Sequence, residues 1–209
     1  TELAISAAGI PFDGYPGFVA RATGTPEEDA FLMLCFRNDA GREVRIVHAT
    51  LHVGVRRALD LLTGARVQRA IEAAHVALRR LGVAAPRIVV SGLNPHAGES
   101  GLFGSEEADI IAPAIAAACA CGMAAEGPFG ADVLFGRTDA DAFVVMLHDQ
   151  GHVAAKVMAP RRSAGVTIGT PVLFSSVGHG SALEIAGRNL ADHSAMVEAI
   201  VRMAGAARP

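Results

Sequence analysis

The chain has 209 residues, of which 51% are hydrophobic and 19% are charged, and its formal net charge is −3. This length suits one large domain or two small ones, and the composition supports a substantial core and argues against disorder. The negative charge, together with one Tyr and no Trp, argues against nucleic acids and anionic membrane surfaces as partners.

The first half of the chain alternates between strand and helix patterns. Residues 21–29 are polar and are expected to form a surface connection. An apolar strand is predicted over residues 44–48, and Thr50 is expected to cap a helix that runs to about Leu62. A second helix follows, and its apolar face consists of Val67, Ile71, Ala74 and Leu78.

The second half continues this alternation around a glycine-rich loop. A strand is predicted over residues 87–91 and a loop over residues 92–104. An alanine-rich helix is predicted to begin with Ser105, Glu106 and Glu107, because the helix dipole stabilises negative charge in the first turn. Two further strands and a final helix are predicted over residues 143–147, 172–175 and 194–205. Strands that alternate with helices predict an α/β fold with a largely parallel or mixed sheet and flanking helices.

Three cysteines and one long apolar stretch bear on the compartment. Cys35, Cys119 and Cys121 are an odd number and match no common zinc motif, so buried, reduced thiols in a cytoplasmic protein are expected. The most apolar stretch, residues 108–125, contains Asp109 and a proline, which favours a buried helix over a membrane span.

Three histidines share one kind of position. His52 and His96 lie shortly after predicted strands, and His148 follows a predicted strand directly. Ligands of open α/β sheets bind beyond the carboxyl ends of strands, and three imidazoles with open coordination positions are typical of a catalytic metal site. Each histidine taken alone is more typical of a hydrogen-bonded loop residue, whereas together they predict a metal site. His48 is expected to belong to its strand.

The segments around these histidines carry further chemical groups. Residues 91–101 (SGLNPHAGESG) combine three glycines, a proline and several acceptors, which suits a close approach of backbone to a ligand. Residues 147–152 (LHDQGH) place an imidazole, a carboxylate and an amide at a strand end. Lys156 is a candidate acid-base group if it is partly desolvated, and an exposed lysine is the alternative.

Long motifs make the sequence recognisable. SGLNPHAGESGLFGSEE, GPFGADVLF and MLHDQGH together resemble the 4-hydroxythreonine-4-phosphate dehydrogenase (PdxA) family, over nearly the whole chain. The resemblance implies a two-domain α/β fold like that of the isocitrate and isopropylmalate dehydrogenases, and a homodimer with active sites shared between its subunits. Residues 1–209 would then be an incomplete catalytic region that lacks part of the N-terminal segment.

The same resemblance implies a set of site residues. The metal ligands of the family fall on His52, His96 and His148, its active-site lysine on Lys156, and a motif aspartate on Asp132. Asp149 and Asp132 are expected to orient histidines or metal-bound water. Three imidazoles suit zinc best, while nickel, cobalt and iron also fit.

A second stretch, VGHGSALEIAGRNLAD, resembles the cofactor loop of the isocitrate and isopropylmalate dehydrogenases. It implies that NAD or NADP binds with its adenosine surrounded by His179, Gly180, Ser181, Ala182, Glu184 and Asp192. The alternative is a glycine-rich entry to a helix.

Two departures from the family pattern bear on the substrate. Tyr15 and Pro16 stand where the family usually has His-Thr, and Phe174 stands where it usually has an arginine. Arginine is the natural bidentate partner of phosphate, and phenylalanine cannot replace that contact. The expected substrate is therefore not phosphorylated, and its candidate contacts are Tyr15, Asn94 and Phe174.

These motifs are similar to the branch of the family that contains the terephthalate dihydrodiol dehydrogenases. The resemblance implies a metal-dependent oxidation of a carboxylated cis-dihydrodiol by NAD(P), followed by loss of carbon dioxide to give a catechol. One alternative is a dehydrogenase of 4-phospho-hydroxythreonine or a phosphorylated sugar acid. Another is a non-catalytic metal-binding module.

Overall fold

A seven-stranded mixed sheet forms the centre of the computed structural model, which describes residues 2–160 and 162–205. Its strands are β1 (Phe31–Arg37), β2 (Glu43–His48), β3 (Arg87–Ser91), β4 (Ala124–Phe129), β5 (Ala142–Val145), β6 (Ala164–Ile168) and β7 (Phe174–Val177). The order across the sheet is β4-β3-β5-β2-β1-β6-β7. The first four strands in that order are parallel to one another, and the remaining pairings are antiparallel.

Helices flank both faces of this sheet. They are α1 (Glu2–Ala7), α2 (Tyr15–Thr23), α3 (Val55–Leu61), α4 (Gly64–Arg80), α5 (Ala112–Ala120), α6 (Ala131–Leu134), α7 (His148–Met158) and α8 (Ser194–Ala204). Single helical turns occupy Glu27–Asp29, Glu107–Ile111 and Leu183–Ile185. The α/β class with flanking helices is confirmed.

The core lies on both sides of the sheet, which explains why its central strands are continuously apolar. All four residues of β5 are buried. On one face α4 buries the predicted stripe of Val67, Ile71, Ala74 and Leu78. On the other face α7 contributes Ala155 to a cluster with Phe143 and Val145.

Strand direction divides the sheet into two edges. The strands β2, β3, β5 and β6 all end at one edge, which we call the carboxyl edge, and β7 begins there because Phe174 pairs with Thr167 of β6. The end of β7 lies at the opposite edge, where Val177 pairs with Ala164. Residues that follow β7 therefore start on the far side of the sheet from residues that follow β2 and β5.

Several predicted boundaries are wrong. Thr50 does not cap a helix, because its buried hydroxyl donates to the Met146 carbonyl oxygen at 2.7 Å, and α3 starts at Val55 after Gly54. Thr63 instead caps α4 by accepting a hydrogen bond from the Arg66 backbone N–H. The strand predicted over residues 172–175 is β7, displaced towards the C-terminus.

Other expectations are corrected in the same way. Cys35 is buried as expected, but Cys119 and Cys121 are exposed. The apolar stretch 108–125 divides into the turn Glu107–Ile111, α5 and the start of β4. Within the part of the chain that the structure describes, none of the helices combines the length and apolar character that crossing a bilayer requires.

Candidate active site

Four imidazoles converge at the carboxyl edge. The rings of His52 and His148 have centroids 5.7 Å apart, and His148 stacks on His152 at 3.8 Å with an interplanar angle of 9°. His152 Nδ1 lies 3.1 Å from Nε2 of His48. The sequence analysis placed His52 and His148 here but gave His48 and His152 no role in the site. The spacing of His148 and His152 was a signal, since residues four apart share a helical face, although Gly151 made a helix doubtful there. His48 lies within its strand and gave no such signal.

The inner histidines are electrically neutral at physiological pH. His48 is only 1% exposed, and burial, followed by the neighbouring His152, lowers its pKa to about 3. Burial and then His148 lower the pKa of His152 to about 4. His48 Nδ1 faces the Leu32 carbonyl oxygen at 3.4 Å, where only a donor fits. His48 Nε2 then accepts from His152 Nδ1–H, which leaves Nε2 of His152 with a free lone pair.

The first turn of α7 fixes His148. Asp149 Oδ1 lies 2.6 Å from His148 Nδ1, so the carboxylate holds the ring and leaves Nε2 available. The Gln150 side chain accepts from the backbone N–H groups of Met146 and Leu147 and donates to the Gly92 carbonyl oxygen. This amide therefore ties the start of α7 to the end of β5 and to the loop after β3.

Gly151 allows α7 to pack against the inner histidines. A Cβ at this position would collide with the His48 ring and with Ile46. Glycine is thus required here for close approach of a helix to a side chain, and not for an unusual backbone angle.

The outer histidine pair fits part of a metal site. Two imidazoles that bind one tetrahedral ion at about 2.1 Å would have ring centroids roughly 5 Å apart, which is close to the 5.7 Å between His52 and His148. His52 Nδ1 already faces the Asp13 carbonyl oxygen at 3.3 Å, which would leave Nε2 for an ion. Over residues 2–160 and 162–205 there is no group of three His, Cys, Asp or Glu side chains arranged to hold a metal.

His96 does not join this pair. Its ring contacts Phe103, with centroids 6.1 Å apart. Residues 96–100 form a left-handed turn, with φ values from 44° to 80°, and the imidazole that it carries is exposed. The structure thus brings together two of the three predicted ligands.

Tyr15 and Phe174 form an aromatic pair at the carboxyl edge. Their ring centroids are 5.2 Å apart, and Phe12 contacts Tyr15 at the same distance. The backbone of Gly14, which precedes Tyr15, packs directly on the His52 ring. Half-buried aromatic faces therefore lie beside the histidine pair. Asn94 is differently placed, because its side-chain amide donates to Glu106 and Glu107 within its own loop.

The predicted cofactor loop lines a cavity of about 770 Å³ at the opposite edge, a volume typical of small-molecule sites. The lining includes all six predicted cofactor contacts, His179, Gly180, Ser181, Ala182, Glu184 and Asp192. Lys156 also lines this cavity, and its ammonium donates to the Gly178 carbonyl oxygen at 2.6 Å.

Two predicted catalytic residues lie apart from the histidines. Lys156 follows His148 by eight residues in α7, which corresponds to about 12 Å along the helix axis. Asp132 is exposed in the first turn of α6. No hydrogen bond or ion pair joins it to the four imidazoles within the described residues.

Comparison with known proteins places this geometry in a family. The family described as pyridoxal phosphate biosynthetic protein PdxA matches residues 1–204. The chain is 46% identical over 199 residues to a 1,2-dihydroxy-3,5-cyclohexadiene-1,4-dicarboxylate dehydrogenase of a Comamonas species, covering 95% of this chain and 62% of that protein. It is 44% identical over 201 residues to a D-threonate 4-phosphate dehydrogenase of Cupriavidus necator, covering 94% of this chain and 58% of that protein.

A solved structure shows the same likeness. The chain superposes on a terephthalate 1,2-cis-dihydrodiol dehydrogenase from Burkholderia xenovorans LB400 with a TM-score of 0.77 and 48% identity, covering 96% of this chain and 62% of that one. The chain thus spans about three fifths of the length of the relatives it matches. The motifs, the layered sheet and these matches agree, and the chain belongs to the PdxA family.

Proposed function

We propose that this chain is the catalytic region of a metal- and nicotinamide-dependent dehydrogenase that oxidises a carboxylated cis-dihydrodiol and releases carbon dioxide. The observation that carries the proposal is the histidine pair beside the Tyr15–Phe174 aromatic pair. Similarity to a protein named for a cyclohexadiene dicarboxylate supports it. The predicted metal is zinc, and either NAD or NADP is compatible with the residues of the cofactor loop.

The proposed reaction removes a hydride and a proton from a ring carbinol, which becomes a ketone. Since that ketone is β to a carboxylate, carbon dioxide leaves and its bonding electrons remain in the ring as an enolate. A proton returned to the enolate oxygen then completes the catechol. When bound, the dinucleotide accepts the hydride, and the divalent metal polarises the substrate oxygens as a Lewis acid.

The residues of the chain prepare this site in three ways. Asp149 holds the His148 ring through Nδ1. The neutral His48 and His152 fill the space behind it without adding positive charge. Tyr15 and Phe174 offer an apolar face against which an uncharged ring can pack.

Lys156 is the proposed proton-transfer group. Because it lies about 12 Å along α7 from His148, the reacting carbon would have to lie between the histidine pair and the cofactor cavity. The flexible four-carbon stem lets the ammonium leave the Gly178 carbonyl oxygen for a substrate hydroxyl. Asp132 is proposed to orient water near the site.

We also propose that the site is completed by a second copy of the chain. His96 lies apart from the histidine pair, and its loop exposes Leu102 by 72% and Phe103 by 47%. Next to His52, Val53 and Val55 are likewise exposed. Apolar groups beside candidate ligands are typical of a surface that is buried in an assembly, so His96 of a partner is the proposed third ligand.

A phosphorylated hydroxy acid is the second candidate substrate. The 44% identity to a D-threonate 4-phosphate dehydrogenase favours it. Against it stands Phe174 in place of an arginine, because an unpaired phosphate beside half-buried aromatic rings would cost on the order of several kcal/mol.

The decisive measurement is kcat/KM for terephthalate dihydrodiol against 4-phospho-hydroxythreonine and D-threonate 4-phosphate. We expect the native protein to prefer the dihydrodiol and Phe174→Arg to shift the ratio towards the phosphorylated compounds. Tyr15→Phe is the matched control, since it keeps the aromatic face. A native preference for a phosphorylated compound would overturn the assignment and leave the second candidate.

A further inference from the structure

We propose that Glu107 is a positioning residue that holds the left-handed turn at residues 96–100 and thereby sets the position of His96. The inference rests on the proposed role of His96 as a metal ligand. Glu107 lies outside the histidine cluster and acts through the loop that carries His96.

The turn requires an external restraint. Four of its residues, His96, Ala97, Glu99 and Ser100, are not glycine and have φ values of 53°, 52°, 44° and 57°. A left-handed helical conformation is disfavoured for each such residue, because its Cβ comes too close to the following carbonyl oxygen. A loop of this sequence, left to itself, would relax to another conformation, so surrounding groups must stabilise this one.

The Glu107 carboxylate supplies that restraint. It accepts hydrogen bonds from the backbone N–H groups of Leu93 and Asn94 at 2.8 and 2.7 Å, and from the Asn94 side-chain amide at 3.0 Å. A Cβ on Gly98 would come within 2.7 Å of this carboxylate, and a Cβ on Gly92 within 3.0 Å. The carboxylate therefore lies inside the loop, where it bonds to residues 93 and 94 and lies next to Gly98 within the turn.

These neutral N–H donors stabilise the negative charge of the Glu107 carboxylate. The residue is 6% exposed, and among the described residues no lysine or arginine forms an ion pair with it. Burial raises the pKa of its carboxyl group, but the hydrogen bonds from Asn94 and Leu93 outweigh burial and the pKa lies below its usual value. Charge-assisted bonds of this kind are about twice as strong as neutral ones.

The test compares Glu107→Gln and Glu107→Asp with the native protein and with Asp109→Asn, an exposed carboxylate on the same helical turn. Zinc affinity is measured by calorimetry. Hydrogen exchange of the Leu93 and Asn94 backbone amides is measured on the metal-free protein, in the presence of a chelator. We expect both Glu107 variants to bind zinc about tenfold more weakly and to exchange these two amides faster. The metal-free Tm should fall modestly in both variants, because the buried donors of Leu93 and Asn94 lose their full acceptor, and Asp109→Asn should change none of these quantities.

A double-mutant cycle with His96→Ala separates positioning from general stability. If Glu107 acts through His96, Glu107→Gln has little effect on zinc affinity in the His96→Ala background. Equal weakening of zinc binding in both backgrounds would overturn the inference, since the loss would then follow general destabilisation and not the position of His96. If His96→Ala binds zinc as the native protein does, the proposed role of His96 fails. Unchanged exchange of the Leu93 and Asn94 amides in Glu107→Gln would instead refute positioning.

Discussion

The four imidazoles at the carboxyl edge differ in their access to solvent, and this difference divides their roles. His52 is exposed and His148 is half-buried, whereas His48 is almost completely enclosed. An imidazole must be neutral to bind a metal, and a ring that cannot reach solvent can only support others. His52 and His148 are therefore suited to ligation and His48 to packing and hydrogen bonding, whereas His152 is half-buried like His148 and bonds to His48 through Nδ1.

Replacing the outer histidines tests this division. Alanine at His52, at His148 or at His96 should weaken zinc binding enough that the purified protein loses its metal and its dehydrogenase activity together, because each change deletes one of three proposed ligands. Metal content by elemental analysis and kcat measure the two effects. His193→Ala, an exposed histidine before α8, is the control. Stoichiometric zinc in the triple variant would contradict the metal assignment.

Acid should destabilise the metal-free protein through His48 and His152. Both folded-state pKa values, about 3 and about 4, lie below the ordinary 6.5, so the unfolded chain binds more protons between those limits. Stability is then fully present above about pH 6.5 and is lost as the pH falls towards 4 and then 3. Urea unfolding at pH 7.5, 6 and 5 measures this loss.

The matched variant for that experiment is His48→Gln. It should show a weaker dependence of the unfolding free energy on pH than the native protein, although it is less stable at pH 7.5. His193→Gln should keep the native dependence. Parallel pH profiles for native protein and His48→Gln would show that His48 is not the titrating group.

At the scale of elements, the sequence indicates three buried strands of the sheet, β2, β3 and β5. The predictions over residues 44–48 and 87–91 match β2 and β3 closely. Both are short, continuous apolar runs bounded by turn residues, a pattern that favours a buried strand. The strands β1, β4 and β6 were not predicted. Strand β1 was missed although its sequence FLMLCFR is a largely buried apolar run. Strand β4 is a half-exposed edge strand with the sequence AAEGPF, and β6 contains small residues and threonine, so neither of these two has a clear period.

The candidate site, like the sheet, could be predicted from the sequence only in part. The placement of His52 and His148 followed from strand ends, which are visible in sequence. The hydrogen bond of His152 to His48 and the left-handed turn at residues 96–100 depend on contacts between distant residues, such as those made by α7 with β2 and by Glu107 with its loop. Local propensity predicts right-handed or extended backbone there, and only tertiary hydrogen bonds override it.

The packing of α7 against β2 can be tested at Gly151. Gly151→Ala should destabilise the protein by about 1–3 kcal/mol, because the added methyl group overlaps the His48 ring and Ile46. It should also weaken zinc binding, since α7 carries His148. Ala154→Gly on the same helix is a comparison that removes a methyl group without overlap. An unchanged Tm in Gly151→Ala would contradict the observed contact.

At the scale of the whole molecule, the family resemblance predicted both a histidine site and a cofactor loop but not their separation. They lie at opposite edges because β7 runs antiparallel to β6 and returns the chain to the far side. Lys156 is accordingly near the loop and not near the histidines. Strand direction is set by the complete sheet, and motifs alone do not reveal it.

Sharing of the site between subunits has a direct test. A heterodimer of His96→Ala and His148→Ala chains contains one site with all three proposed ligands if His96 and His148 come from different chains. We therefore expect activity up to about half that of the native dimer, from inactive parents. Activity per purified, differently tagged heterodimer is the measurement. Continued inactivity would indicate that the two ligands come from one chain.

The helix α7 has a further consequence for sequence change in this protein. His148 lies at its first residue and Lys156 in its last turn, and each is fixed at its own end by Asp149 or by the Gly178 carbonyl oxygen. One inserted or deleted residue between them would turn one end by about 100° relative to the other and shift it by about 1.5 Å. Length variation in surface loops is tolerated far better, so insertions and deletions that preserve function should avoid residues 149–155.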